Sequence, residues 1–312
     1  MAEAKIQSDV SRQQRPKRTR FRKVKAFVRN PRAIAGMTIL GIFLMIGIFA
    51  PLIAPYNPQA SIFLPMLPPN ATHWFGTTNT GQDLFSQFVW GTQTTLMVGL
   101  GGGFIIVLIG LTLGMYAGYK GGVIDAIINV IANIFLVMPT LALLIVIESY
   151  IQSTTPLING LIIGLTGWAW GARTFRAQTM SLTGRDFVVA AKLSGASDLR
   201  IIFTEILPNM YSILAASLMY SCLGAILAEA GLAYLGYENL DSNSWGTILY
   251  WASNGGAMLS GAWWWFVPPG IAIALVGMSF ALMNFAMDQI SNPRLNVQKR
   301  RRSPRARTKS HS

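Results

Sequence analysis

The sequence predicts an all-α, polytopic membrane protein with six transmembrane helices and both termini in the cytoplasm. Apolar residues make up 52% of the 312-residue chain and charged residues only 12%, whereas an ordinary soluble domain has about 45–50% and about 25%. Both ends of the chain are crowded with Lys and Arg, while long internal stretches have almost no charge. This segregation favours a chain surrounded by lipid over one surrounded by water.

Six apolar runs supply the predicted spans. A helix is the only open-ended element that satisfies its own backbone in lipid, so each run is predicted to be helical. The first run is longer than the core of a typical signal peptide and is therefore predicted to be a span. The spans are residues 34–54, 95–119, 123–150, 157–172, 210–230 and 266–288, within a membrane domain 33–290 between the basic tails 1–32 and 291–312.

The positions of Lys and Arg test this topology independently. All 25 lie in the two tails, at Lys120 or in the loop 173–209. These segments alternate with segments that have none, as expected if positive charge gathers on the cytoplasmic side. The same placement explains the net charge of +13 better than nucleic-acid binding does, so no nucleic-acid partner is expected.

The outward segments are predicted to lie at the membrane surface. The first, residues 55–94, is rich in turn formers and is predicted to contain a short interfacial helix after Gly81. The last outward segment, residues 231–265, contains several tryptophans, which are expected at the level of the lipid headgroups, although an aromatic solute site is an alternative. These are Trp245, Trp251, Trp263, Trp264 and Trp265.

A few polar or small residues within the spans are candidates for function. Asn129 and Asn133 are four residues apart and share a helix face, and Pro139 follows them. They are predicted to line a hydrated path or tune a hinge, with hydrogen bonding between packed helices as the alternative. Glu229 is a candidate for a structural or gating role. Gly99, Gly101, Gly102 and Gly103 are predicted to form a close-packing face.

The loop 173–209 is predicted to be a helix–turn–helix at the inner membrane face. Ala190 and Ala191 suit a short helix that another backbone can approach closely, and Gly195 permits a tight turn after it. Asp198 is predicted to cap a second helix, and Pro208 to end it before the fifth span. Its apolar residues at helical spacing are Leu199, Ile202, Phe203 and Ile206.

These residues resemble the signature of permease subunits of ABC importers, which is Glu-Ala-Ala, three residues, Gly, nine residues, then Ile-x-Leu-Pro. Val189 and Glu205 stand where the signature has Glu and Ile. The matching positions are Ala190, Ala191, Gly195, Leu207 and Pro208. Further segments narrow the resemblance to the second permease type of the dipeptide/oligopeptide/nickel permease family: 75–77, 117–122, 138–140, 226–230, 234–236 and 284–294.

The resemblance implies the fold of a type I ABC importer permease and a place in a prokaryotic cell membrane. Such a chain forms half of a pore with a homologous second permease. Two ATP-binding subunits, which hold ATP and Mg, dock on the loop that contains Val189, and an extracytoplasmic solute-binding protein delivers peptides, oligosaccharides or nickel chelates. The chain itself is expected to bind no cofactor.

The sequence lacks the motifs expected of an ATPase or an enzyme, which agrees with this expectation. It has no G-x-x-x-x-G-K-[ST] phosphate loop. Its two histidines and the single Cys222 suggest no metal or catalytic cluster, which disfavours a membrane enzyme. An ion-coupled secondary transporter is the alternative function, but such proteins are often built from internal repeats, and the two halves of this chain show no convincing repeat.

Overall fold

The computed structural model describes residues 26–151 and 155–291, which are helical throughout apart from turns, loops and one isolated bridge between Thr77 and Asp83. The predicted basic tails therefore lie almost wholly outside the described residues. The helices are α1 (Pro31–Ile48), α2 (Ala50–Ile53), α3 (Leu84–Lys120), α4 (Gly122–Val137), α5 (Thr140–Tyr150), α6 (Pro156–Thr183), α7 (Asp186–Leu193), α8 (Asp198–Arg200), α9 (Tyr211–Tyr234), α10 (Trp245–Asn254) and α11 (Trp263–Ser291).

Four of these helices, α1, α3, α9 and α11, are long and apolar enough to cross a membrane. The pair α4 and α5 adds a fifth if it is one broken span. The predicted span 157–172 lies in α6, which is 28 residues long but less apolar, because Arg173 and Arg176 lie in its second half. That half also shortens the predicted cytoplasmic loop, which begins at Gly184 rather than at residue 173.

Helix α3 is the centre of the bundle and packs along α6 on one side and α9 on the other. Small residues allow these backbones to approach closely, as is common between helices in lipid. A Cβ atom on Gly114 would lie 2.4 Å from the Ala172 carbonyl oxygen of α6, and one on Gly103 would lie 2.5 Å from Cα of Cys222 in α9. The predicted close-packing role is confirmed for Gly99, Gly102 and Gly103 but is wrong for Gly101, which faces open space.

The two outer helices, α1 and α11, pack against each other. Asn30 caps α1 by accepting a hydrogen bond from the Arg32 backbone N–H, and its amide donates to Gln289 of α11 at 3.1 Å. The beginning of the first long helix and the end of the last one therefore lie together. The other end of α1 meets the start of α3, because Gly47 lies against the backbone of Gln93.

Two predictions for the outward segments are wrong. The helix after Gly81 is not a separate short one, because α3 begins at Leu84 and continues through the span. Its N-cap, Asp83, accepts hydrogen bonds from the Ser86 backbone N–H at 2.8 Å and from His73 Nδ1 at 2.8 Å, which fix the preceding loop to the helix. The helix therefore begins at a polar cap, well before the apolar run that starts at residue 95.

The tryptophans of residues 231–265 do not form one belt at the membrane surface. Trp245 and Trp265 are fully buried, whereas Trp251 and Trp263 are about half exposed and Trp264 is partly buried. The indole of Trp245 donates to Thr92 Oγ1 at 3.3 Å and packs edge-on against Phe43. Because a buried Trp can satisfy its N–H on another helix, this side chain anchors α10 to α3.

Candidate functional site

The docking loop, residues 184–209, is built around the short helix α7. Its Val188 side chain is fully buried and packs in a cluster with Phe175 of α6 and Ile201 further along the loop. The predicted small residues Ala190 and Ala191 lie in this helix, Ala190 exposed and Ala191 half-buried. Val188 and the half-buried Ala191 thus hold α7 to this cluster, while most of the surface of the helix remains open.

Gly195 forms the predicted turn after α7. Its φ of +75° is a left-handed conformation that side chains other than Gly rarely adopt. The Ala196 N–H donates to the Ala191 carbonyl at 3.1 Å and the Gly195 N–H donates to the Lys192 carbonyl at 3.0 Å, which is the hydrogen-bond pattern of a Schellman motif. The turn reverses the chain and returns it toward the bundle.

The second half of the docking loop differs from the predicted regular helix. It consists of α8, a π-helical turn Ile201–Ile206 and a 3₁₀ turn Leu207–Asn209, which contains Pro208. The π-helical turn buries Ile201, Ile202 and Ile206 and exposes Phe203. Leu199 in α8 is exposed as well, so the apolar residues at the predicted helical spacing are not buried together. Pro208 lies just before α9, as the sequence predicts.

Asp198 is also not the predicted side-chain cap, because Ser197 occupies the N-cap position and no side-chain capping bond is present there. The Asp198 carboxylate instead accepts hydrogen bonds from Lys120 and from the Tyr119 hydroxyl, the latter at 3.0 Å. Lys192 Nζ lies 4.9 Å above the centre of the Tyr119 ring. The hydrogen bonds from Lys120 and Tyr119 hold the pKa of Asp198 below its usual range.

Large apolar side chains on the docking loop are exposed, although water would favour their burial. Leu193 is 84% exposed, and Leu199 60%. Exposed apolar residues in such number on one short segment are typical of a surface that binds a protein or a membrane. The residues are Phe187, Val189, Leu193, Leu199 and Phe203.

The predicted intramembrane asparagines both belong to a polar contact between α4 and α6. Asn133 Oδ1 accepts from Arg173 at 2.5 Å, which is the interhelical hydrogen bond that the alternative interpretation expects. Asn129 instead bonds within its own helix to Asp125 Oδ1 at 2.7 Å. That carboxylate forms a two-pronged ion pair with Arg176, whose Nη2 lies 2.5 Å from Oδ2. A pore-lining role for either asparagine stays a prediction.

Pro139 breaks the predicted third span. Helices α4 and α5 meet there at 89°, and Met138 has an extended backbone with ψ of 130°. A proline lacks the N–H that an unbroken helix needs, and it disfavours helical geometry in the residue before it. The predicted span 123–150 is therefore two helices, and the predicted hinge position coincides with their junction.

Glu229 lies in a buried carboxyl cluster near the outward segment. It is fully buried in α9, beside Thr95, Ser244 and Glu238. Glu238, on the segment between α9 and α10, accepts a hydrogen bond from Asn159 of α6 at 2.6 Å. Burial raises the pKa of Glu238, and the charge of Glu229 raises it further. The predicted gating role of Glu229 is not tested by this arrangement.

Several residues of these clusters escape sequence analysis. Asp125 is the only acidic residue of the predicted third span apart from Glu148, and Arg176 stands in a segment predicted to be a loop, so their pairing across 51 positions has no local signal. Glu238 and Asn159 are 79 positions apart. An unpaired charge next to an apolar run was the available clue, since such groups need a partner in lipid.

Long apolar helices define the class as a polytopic membrane protein. Residues 110–297 match the family described as binding-protein-dependent transport system inner membrane component. Residues 19–73 match the N-terminal TM domain of oligopeptide transport permease C. The chain therefore belongs to the permeases of ABC importers, in their dipeptide/oligopeptide branch, and is a multi-pass protein of the bacterial inner membrane.

Curated relatives cover most of the chain. The dipeptide transport system permease protein DppC of Bacillus subtilis is 32% identical over 86% of this chain and 83% of its own length. The protein of the same name from Alkalihalophilus pseudofirmus is 34% identical over 90% of both chains. The oligopeptide transport system permease protein OppC of Mycobacterium bovis is 32% identical over 81% of this chain and 87% of its own.

Proposed function

We propose that this chain is one of two permease subunits of an ATP-driven importer and forms half of the pore through which peptides cross the inner membrane. A homologous permease would supply the other half, and an extracytoplasmic solute-binding protein would deliver the peptide. The names of the relatives support peptides over oligosaccharides as the substrate class. ATP and Mg would be bound by two separate ATP-binding subunits.

The observation that carries this proposal is the docking loop. Its backbone is fixed by the Schellman turn at Gly195 and by the buried Val188, yet its large apolar side chains are exposed. Rigid presentation of apolar side chains favours binding, because little conformational entropy is lost when a partner covers them. An ATP-binding subunit is the partner that membership in this family suggests.

The proposed topology has six spans, with α6 and the α4–α5 pair included and both termini cytoplasmic. The contact between Asn30 and Gln289 supports placing both chain ends on one side of the bundle. The Lys120–Asp198 contact supports placing the docking loop at that same end, since α1 and α3 run in opposite directions. The positive charges at this end support assigning it to the cytoplasmic side.

Site-specific crosslinking tests the docking assignment. Cysteines introduced by Ala190→Cys or Val189→Cys, in an importer assembled with its partner subunits, are expected to crosslink to an ATP-binding subunit. The native Cys222 is buried and is not expected to react. Ser260→Cys lies on the outward segment and is the matched control. Crosslinks from positions 189 and 190 to the solute-binding protein instead would contradict the proposal.

A further inference from the structure

The inner-end cluster consists of Tyr119, Lys120, Lys192 and Asp198. It joins the docking loop to the last two residues of α3. Immediately after it, Gly121 and Gly122 both have positive φ, 65° and 59°, and turn the chain from α3 into α4. Among the described residues, no atom outside the adjoining chain lies within 4 Å of a Cβ atom built on either glycine. The cluster therefore lies directly before the turn that joins α3 to α4.

The docking loop has two kinds of attachment to the bundle. The first is the apolar cluster around Val188, Ile201 and Phe175. Apolar contact is non-directional. The second is the inner-end cluster, in which Asp198 accepts from two donors on consecutive residues of α3. Hydrogen bonds weaken steeply with distance and misalignment, so this attachment fixes the position of the loop relative to α3.

We infer that Asp198 is a positioning residue that transmits movement of α7 to the turn between α3 and α4. The inference rests on the proposed function, in which an ATP-binding subunit moves α7. Lys192, on α7, reaches the Tyr119 ring, and Asp198 holds the Tyr119 hydroxyl and Lys120, so both ends of the Gly195 turn contact the same point on α3. Movement of α7 thus displaces the end of α3 and, through the glycine turn, α4.

This role is separable from folding. The side chains of Lys120 and Asp198 are 37% and 45% exposed, and an ion pair this exposed contributes little to stability. Loss of the pair is therefore expected to leave the buried apolar cluster and the fold intact. What it removes is the directional link.

A charge exchange tests the inference in the whole importer, reconstituted with its partner subunits in proteoliposomes. The measured quantity is the amount of radiolabelled tri-alanine taken up per ATP hydrolysed. Lys120→Asp and Asp198→Lys are each expected to lower this ratio. The expected decrease is about fivefold, which is the lower end of the range over which one site typically affects another. The double exchange is expected to restore it. Asp288→Lys, an exposed change at the inner end of α11, is the matched control.

Single variants with the wild-type ratio would overturn the inference, as would a double exchange no better than the single changes. If Asp198→Lys does not assemble, Tyr119→Phe replaces it, because it keeps the ring beneath Lys192 and removes one donor. A wild-type ratio in Tyr119→Phe would then overturn the inference. Absence of ATP-dependent uptake in the wild-type importer would instead contradict the proposed function itself.

Discussion

Single polar residues in this chain are placed by contacts between distant helices. Glu238 and Asn159 meet across 79 positions, and Asp125 and Arg176 across 51. A carboxyl buried away from water is costly when ionised unless it is well paired. Glu238, which is buried on the segment between α9 and α10, therefore has a raised pKa and favours the protonated form.

Glu238 is expected to make the stability of the protein fall as pH rises. Its raised pKa means that the folded chain keeps a proton that the unfolded chain loses, so stability decreases with pH above the ordinary carboxyl range. Glu238→Gln is neutral at every pH and keeps the oxygen that accepts from Asn159. We expect it to raise the thermal midpoint in detergent at pH 8 by about 2–4 °C, and by less at pH 5.

The control for this prediction is Asp241→Asn, which changes an exposed carboxyl on the same segment. Its midpoint is expected to differ little from wild type at both pH values. An equal effect of Glu238→Gln at pH 5 and pH 8 would show that protonation of this group does not change on unfolding.

Gly195→Val tests the turn of the docking loop. Open space surrounds the position, so the cost comes from the backbone: a left-handed conformation costs about 1–2 kcal/mol for other residues. The variant is expected to retain less of the ATP-binding subunits during purification, by up to about tenfold, because fewer molecules hold the docking conformation.

Gly184→Val is the matched control, since Gly184 also faces open space but has φ of −88°. It is expected to retain the ATP-binding subunits as wild type does. Equal retention by Gly195→Val would remove the reason for assigning a role to the turn.

At the scale of elements, features that depend on local chemistry were predictable. The turn at Gly195 was predictable because glycine permits a left-handed backbone, and a hinge position at Pro139 was predictable because proline removes a backbone donor. The π-helical turn at Ile201–Ile206 was not predictable, since it depends on which side chains the bundle can bury. The early start of α3 was missed because residues 84–94 mix apolar with polar side chains. The broken third span was missed because hydropathy does not report bends.

Close packing between α3 and α6 is expected to limit what Gly114 can be replaced with. In Gly114→Val the new Cβ would approach the Ala172 carbonyl oxygen to 2.4 Å, so the helices must separate. Overpacking of this kind costs about 1–3 kcal/mol, measurable as a lower thermal midpoint. Gly101→Val on the same helix faces open space and is expected to cost much less. Equal losses for both variants would contradict the packing account.

For the whole molecule, charge distribution and structure lead to the same arrangement. The ends of α1 and α11, the α3–α4 turn and the docking loop all lie at one end of the bundle, and the buried carboxyl cluster lies toward the other. Sequence analysis located this loop because its motif is local, and the docking of a partner on it stays a prediction. It misassigned Trp245 and Trp265 because a tryptophan buried in a bundle and one at a membrane surface have the same sequence signal.

The most direct test of the central claim is solute uptake by proteoliposomes that contain this chain, its partner permease and its ATP-binding subunits. With the solute-binding protein outside and ATP inside, radiolabelled tri-alanine is expected to accumulate. Accumulation is expected to stop when the ATP-binding subunits are omitted or ATP is replaced by a non-hydrolysable analogue. Uptake by this chain alone, driven by an ion gradient and indifferent to ATP, would contradict the account.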